Sequence, residues 1–210
     1  MTSRSVERLW RAARKLNGAA RSGKPLPPLL FFTDPARAPD LLAVVRGLPR
    51  GSAVVFRAFG APGATRIGLA LRRETSRRGV FLLVGADARL ATLLKADGIH
   101  LPQRMAGKPG TVRQLRGRFL VTAAAHDAPA IRRARASRVH AVVLSPVFPS
   151  ASPSAGRPMG QLRFSRLARQ AGIPVYALGG VNAGTASLLA ASRAVGIAAV
   201  SGFAETGART

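Results

Sequence analysis

The stretch RFLVTAAAHDAPAIRRARASRVHAVVLSPVF, Arg118 to Phe148, holds one complete structural unit. RFLVTAAAH is a short apolar run that ends on a histidine. APAIRRARAS places its apolar residues at helical spacing, and HAVVLSPVF is a second apolar run broken by proline. A strand, a helix and a strand in that order return the chain to the same end of a sheet, so the two strands are expected to be parallel. The same rhythm extends outward in both directions. Upstream lie LLFFTD (Leu29 to Asp34), AVVFR (Ala53 to Arg57), VFLLVG (Val80 to Gly85) and GIHLPQ (Gly98 to Gln103); downstream lie PVYALGG (Pro174 to Gly180) and GIAAVSGF (Gly196 to Phe203). Helical candidates alternate with them, among them PDLLAVVRGL, DARLATLLKA, FSRLARQAG and GTASLLAASRAVG. Eight such strands in a chain of 210 residues predict an α/β fold, a compact (β/α)8 TIM barrel, in preference to a doubly wound sheet.

The two ends of the chain break the rhythm. Residues 1–25 read as a basic N-terminal helix, with Val6, Leu9, Trp10, Ala13 and Leu16 on one face and Arg4, Arg8, Arg11, Arg14 and Lys15 around the other. A surface helix docked on the domain is its expected role, with anionic lipid or nucleic acid as alternative contacts. Residues 26–210 read as a single barrel domain. After Phe203 only AETGART remains, so the last helix is expected to be shortened or missing, and the N-terminal helix to cover the surface left bare.

Composition narrows the function classes. There are 33 Lys plus Arg against 8 Asp plus Glu, a formal charge of +25, far beyond what solubility needs. Such a field attracts anions, although a bias toward GC-rich codons gives the same excess of Arg, Ala and Gly. The chain has 0 Cys, which excludes disulfides and thiolate metal sites. No run reaches the roughly 18 apolar residues of a membrane span, and the basic N-terminus lacks a secretory h-region, so a cytoplasmic protein is expected.

Polar residues at the C-terminal ends of barrel strands face the mouth where such folds hold ligands. That places Arg57, Gln103 and His126 at the site end of strands 2, 4 and 5. His126 is suited to general acid–base work, and the Asp127 that follows it to capping a helix. His100 is expected in a capping or turn role, and His140, at the opposite rim, in a structural one. GGVNAGT (Gly179 to Thr185) and VSGF (Val200 to Phe203) put Gly179, Gly180, Ser201 and Gly202 at the ends of strands 7 and 8, where backbone N–H groups can approach a phosphate. Between strand 6 and its helix runs SPVFPSASPSAGRPMG, Ser145 to Gly160, with hydroxyls at Ser150, Ser152 and Ser154 and with Arg157. A loop of this length is expected to be a lid, its hydroxyls and Arg contacting substrate, or else an unstructured crossover.

In combination, the segments TD, FR, ADGIHLPQ, AAH, LSPVFPS, GGVN and VSGF resemble the thiamine phosphate synthase and thiazole tautomerase superfamily of barrels, over roughly Leu29 to Phe203. The resemblance implies a site for a thiazole phosphate. In the synthase branch that phosphate attacks a pyrimidine pyrophosphate, with Mg2+ held by two aspartates. The matching positions here are Gly85-Ala86 and Met105, leaving Asp87 as the one possible replacement ligand or else a helix cap. The branch's Gln and Lys around the strand-2 Arg match Val55 and Phe59, and its Thr-x-Thr-Lys matches Ser150, Ser152 and Pro153. A departing pyrophosphate needs cations to neutralise it, so these losses weigh against synthase chemistry. In the tautomerase branch a His after strand 5, matched by His126, moves a proton to aromatise a thiazole carboxylate phosphate without a cofactor. That branch's Ser two residues earlier is Ala124 here.

The expected function is therefore a thiamine-pathway barrel that binds a thiazole phosphate through Gly179, Gly180, Ser201 and Gly202. Arg57, Gln103, Ser150 and Ser152 are expected to contact substrate, and His126 to carry the proton. The alternatives are a competent synthase with a rearranged, Mg2+-dependent site and a non-catalytic anion or nucleic-acid binder. A homodimer and weak non-specific nucleic-acid binding are the remaining expected partnerships.

Overall fold

The computed structural model describes residues 4–19, 26–34, 40–58, 60–150 and 156–200. Eight parallel strands, β1 (Leu29–Phe32), β2 (Ala53–Phe56), β3 (Phe81–Gly85), β4 (Gly98–Leu101), β5 (Leu120–Ala125), β6 (Ala141–Leu144), β7 (Val175–Ala177) and β8 (Gly196–Ala199), close into a barrel in chain order, β8 pairing with β1. Every strand stretch marked in the sequence contains one of them. The strands are shorter than those stretches because their polar endings turn out into the loops at the mouth.

Helices cover the outside: α1 (Arg4–Ala19), α2 (Leu41–Gly47), α3 (Ala64–Arg78), α4 (Ala88–Leu93), α5 (Gln103–Ala106), α6 (Pro109–Arg116), α7 (Ala128–Ala136) and α8 (Gly160–Gln170). Asp40, Asp87 and Asp127 begin α2, α4 and α7, each accepting from the backbone N–H three residues on at 2.7–2.8 Å. Such caps satisfy donors that the first helical turn leaves open. The expected helix GTASLLAASRAVG is a correction: only a 3-10 turn, Ala186–Leu189, forms there. Asn182 Oδ1 accepts from Gly184 N and Thr185 N, Thr185 Oγ1 donates to Gly180 O, and Ser192 Oγ accepts from Ala194 N. These side chains offer the backbone partners that compete with a helix.

The core has two layers. Leu30, Phe32, Val55, Leu83, Val143 and Tyr176 form one apolar cluster that, among the described residues, includes no side chain of a helix, which places them inside the barrel. Their neighbours in sequence, Leu29, Phe31, Val54, Leu82 and Val142, pack instead with Leu71, Val112 and Phe164 of the helices. Tyr176 plugs the end of the barrel opposite the mouth and donates its hydroxyl to Pro27 O at 2.7 Å; burial pushes that phenol well above its ordinary range.

Helix α1 packs against β8, β1 and the 3-10 turn, so it covers the wall where a full helix after β7 is missing. Its stripe Val6, Leu9, Ala13 and Leu16 is buried, at about 25 cal/mol per Å² of apolar surface removed from water. Asn17 locks its end in place, donating to Leu26 O at 3.1 Å and Val195 O at 2.8 Å. The wall after β8 lies outside the described residues.

Candidate active site at the barrel mouth

His126 is the first residue beyond β5, and three contacts fix it. Its backbone N–H donates to Gln103 Oε1 at 3.1 Å. Its Nδ1 lies 2.8 Å from Ser145 O and 3.3 Å from Ser145 Oγ. A carbonyl oxygen only accepts, so Nδ1 carries a hydrogen, and in the neutral ring Nε2 keeps the lone pair; the residue itself is exposed. Asp127, the next residue, caps α7 by accepting from Ala130 N at 2.7 Å. The structure thus brings together two of the expected site residues, His126 and Gln103, and adds Ser145, which stands at the head of the β6 loop.

The ends of β5, β6 and β7 are knitted together. Ser145 N donates to Ala125 O at 3.1 Å and Leu178 N to Leu144 O at 3.1 Å; Val147 N and Phe148 N then donate to Leu178 O and Gly179 O at 2.9 Å. Gly179 and Gly180 sit at φ +96° and +64° against this loop. A Cβ on Gly180 would stand 2.3 Å from Pro149 O, and one on Gly179 would stand 2.8 Å from Pro146 Cα. Both glycines are therefore required by close backbone packing, whatever binds above them. Their own N–H groups donate to no acceptor among the described residues, which leaves two donors at the mouth.

Arg57, three strands away, is anchored to the end of β1. Its Nε donates to Thr33 O at 2.7 Å, its backbone N to Thr33 Oγ1 at 2.9 Å, and its Nη2 lies 3.6 Å from Asp34 Oδ2. The guanidinium stands 6.0 Å from the centre of the Phe32 ring. Below it, inside the barrel, His100 is buried edge-on to Phe32 at 4.8 Å, with Nδ1 2.9 Å from Thr122 Oγ1. Burial first, and the Arg57 charge second, push His100 down to about 3. His100 is thus an interior strand residue, which corrects the capping or turn role expected of it. His140 has the structural part foreseen for it, its Nδ1 accepting from Val121 N at 2.9 Å.

Asp87 Oδ1 holds Leu90 N at 2.8 Å as the cap of α4, while Ala86 at φ 61° turns the chain and bonds its N–H to His100 O. Of Asp87's two readings, ligand or cap, this geometry matches the cap. No group of three His, Cys, Asp or Glu side chains converges among the described residues. With Gly85, Ala86 and Met105 at the positions where the family resemblance expects the two aspartates, the described residues do not reproduce that ligand set. Ser152, Ser201 and Gly202 lie outside the described residues; Ser150 is half-buried at the base of the β6 loop.

Comparison with known proteins identifies the family. The sequence model described as thiamine monophosphate synthase matches residues 29–203. A Geobacter sulfurreducens protein named "Putative thiamine-phosphate synthase" is 34% identical over 169 residues, covering 77% of this chain and 78% of its own. The thiamine-phosphate synthase of Bacillus velezensis is 26% identical over 175 residues, covering 79% and 78%. Among solved structures, the thiamine phosphate pyrophosphorylase of Pyrococcus furiosus superimposes with a TM-score of 0.70 at 23% identity, over 82% of this chain and 84% of that one, which speaks for the fold. Barrel, mouth and matched sequence together make the chain a member of the thiamine monophosphate synthase family.

Proposed function

We propose that the chain binds a thiazole bearing a phosphate monoester at the barrel mouth and moves a proton on it through His126, as a tautomerase does. The observation that carries this reading is the bond from His126 Nδ1 to Ser145 O, which leaves Nε2 free to act as a base on an exposed residue at the end of β5. In this reading Nε2 takes a proton from one carbon of a non-aromatic thiazole tautomer and returns it to another atom of the same molecule, so nothing is consumed. The Ser145 carbonyl stabilises the imidazolium formed in between, and Gln103 fixes the backbone from which the ring projects. The N–H groups of Gly179 and Gly180, joined by Ser201 and Gly202, hold the phosphate; Arg57, Ser150 and Ser152 complete the substrate contacts.

The test is a thermal-shift and calorimetric screen of thiazole phosphate, its carboxylated precursor, thiamine phosphate and pyrophosphate, followed by an isomerisation assay. Stabilisation by the monophosphates but not by pyrophosphate, with isomerisation lost in His126→Ala, is the expected result. Absence of binding to every thiazole phosphate, or full isomerisation by His126→Ala, would overturn it. The names of the relatives favour a second reading, a working synthase; Mg2+-dependent release of pyrophosphate from the two substrates would establish that one.

A further inference from the structure

The 8 acids of the chain leave most of the charge of its 33 Lys plus Arg uncompensated, for a formal total of +25. Asp40, Asp87 and Asp127 cap helices, Asp34 faces Arg57, and Asp97 holds Arg72 Nη1 at 2.8 Å. On the face opposite the mouth, Arg50, Arg77 and Arg78 converge on one pocket of about 420 Å³ walled by Trp10. The pocket is built rather than incidental. Arg50 lies flat on Gly79, where a Cβ would come within 3.0 Å of it, and Gly51 N donates to Gly79 O at 2.9 Å to join the two loops.

None of these three guanidinium groups has an ion pair or hydrogen bond among the described residues. Glu7, the one carboxylate on the wall among the described residues, is engaged by Arg11. Three like charges held together repel one another until an anion arrives. From this pocket the exposed face of α1 continues with Arg8, Arg11, Arg14 and Lys15 to a second hollow of about 590 Å³ that carries Arg169 and Arg193.

We infer that this band is a docking surface for the phosphate backbone of nucleic acid, bound without regard to sequence. Helix α1, with 16 residues, is about 24 Å long, the axial length of roughly seven phosphates of one strand in a duplex. The excess of Arg over Lys suits phosphate, which the guanidinium fork meets with two bonds. A lipid surface is the poorer match: a helix that lies on a bilayer buries its apolar face there, and that of α1 is turned into the protein, with Leu9 and Ala13 0% exposed.

The experiment is fluorescence anisotropy of a labelled DNA duplex of about 20 base pairs with the full chain, at low and near-physiological salt. Two triple variants that lower the charge equally are compared: R50E/R77E/R78E in the pocket, and R113E/R132E/R133E on α6 and α7 on the opposite wall. The pocket variant is expected to weaken binding at least tenfold and to lower the slope of log Kd against log salt by roughly 2 to 3, while the wall variant stays close to the parent. Arg→Gln versions of both sets give the same comparison should a Glu set fail to fold. Equal losses in the two variants, no salt-dependent binding by the parent, full competition by inorganic phosphate at matched ionic strength, or a preference for phosphatidylserine vesicles over DNA would each overturn the inference.

Discussion

Replacing Gly180 by Ala tests the claim that the β6 and β7 loops are clasped together under the mouth. At φ +64° an L residue costs roughly 1–2 kcal/mol in the left-handed region. The new Cβ would also stand 2.3 Å from Pro149 O and 2.8 Å from Phe148 Cβ, and the first of these is backbone that cannot swing aside. Overpacking of this kind costs a further 1–3 kcal/mol or so. The total, about 2–5 kcal/mol, corresponds to a fall in Tm of roughly 4–20 °C for a chain of this size. Gly60 supplies the control, because it sits at φ +73° with nothing within 4 Å of its Cβ position. Gly60→Ala therefore carries the backbone cost without the collision. Urea denaturation of the two variants beside the parent should place Gly180→Ala below Gly60→Ala by at least about 1 kcal/mol. It should also weaken binding of thiazole phosphate, since the same shift moves Ser145 and the ring it holds. Equal losses of stability in the two variants would refute the reasoning.

Three further outcomes follow from the same geometry. His100 is held down to about 3 while in an unfolded chain it titrates near its ordinary 6.5, so the unfolded state binds the extra proton between those values. Stability should therefore be fully present above about pH 6.5 and fall by up to about 4 kcal/mol as the pH drops toward 3, a slope that His100→Gln removes; equilibrium unfolding across that range measures it. Asp87→Ala should cost about 1 kcal/mol as a lost helix cap and leave thiazole phosphate affinity unchanged, with or without Mg2+, by denaturation and calorimetry. Asp97→Ala should cost more, roughly 2 kcal/mol, because it strands the N–H of Leu82 as well as Arg72; the urea midpoint reads it directly.

The barrel was legible because each strand lies in a short, mostly apolar run closed by a turn or polar residue, and the crossover rule then makes the strands parallel. Which side of a strand faces inward was not legible. A parallel barrel buries both faces, so Phe31 and Phe32 look alike in sequence although one packs on helices and the other fills the interior. The segment after β7 misled because Ala, Leu and Ser at helical spacing say nothing of Asn182 and Thr185, whose side chains take the backbone bonds a helix needs. At the mouth, the positions of His126 and Gln103 beyond their strands were legible from the strand endings, and their mutual hydrogen bond was not. Ser145 was missed because its part is played by a backbone carbonyl, which any residue could supply; its signal was the polar residue closing the β6 run. His100 was misread because its partner Thr122 lies 22 residues away on the next strand, beyond the reach of local pattern. The glycines of GGVN were read as anion donors, and the contacts with Pro146 and Pro149 add a packing reason that only the folded loop reveals.

The most direct test of the proton-transfer reading is the steady-state rate at which the chain isomerises a carboxylated thiazole phosphate, compared between the parent and His126→Gln, with Kd measured alongside. Loss of a positioned general base predicts a kcat lower by about 100-fold or more, with Kd changed only a few-fold, since the phosphate contacts come from other loops. An unchanged kcat in His126→Gln, or a parent that binds the phosphate and never moves the proton, would contradict it.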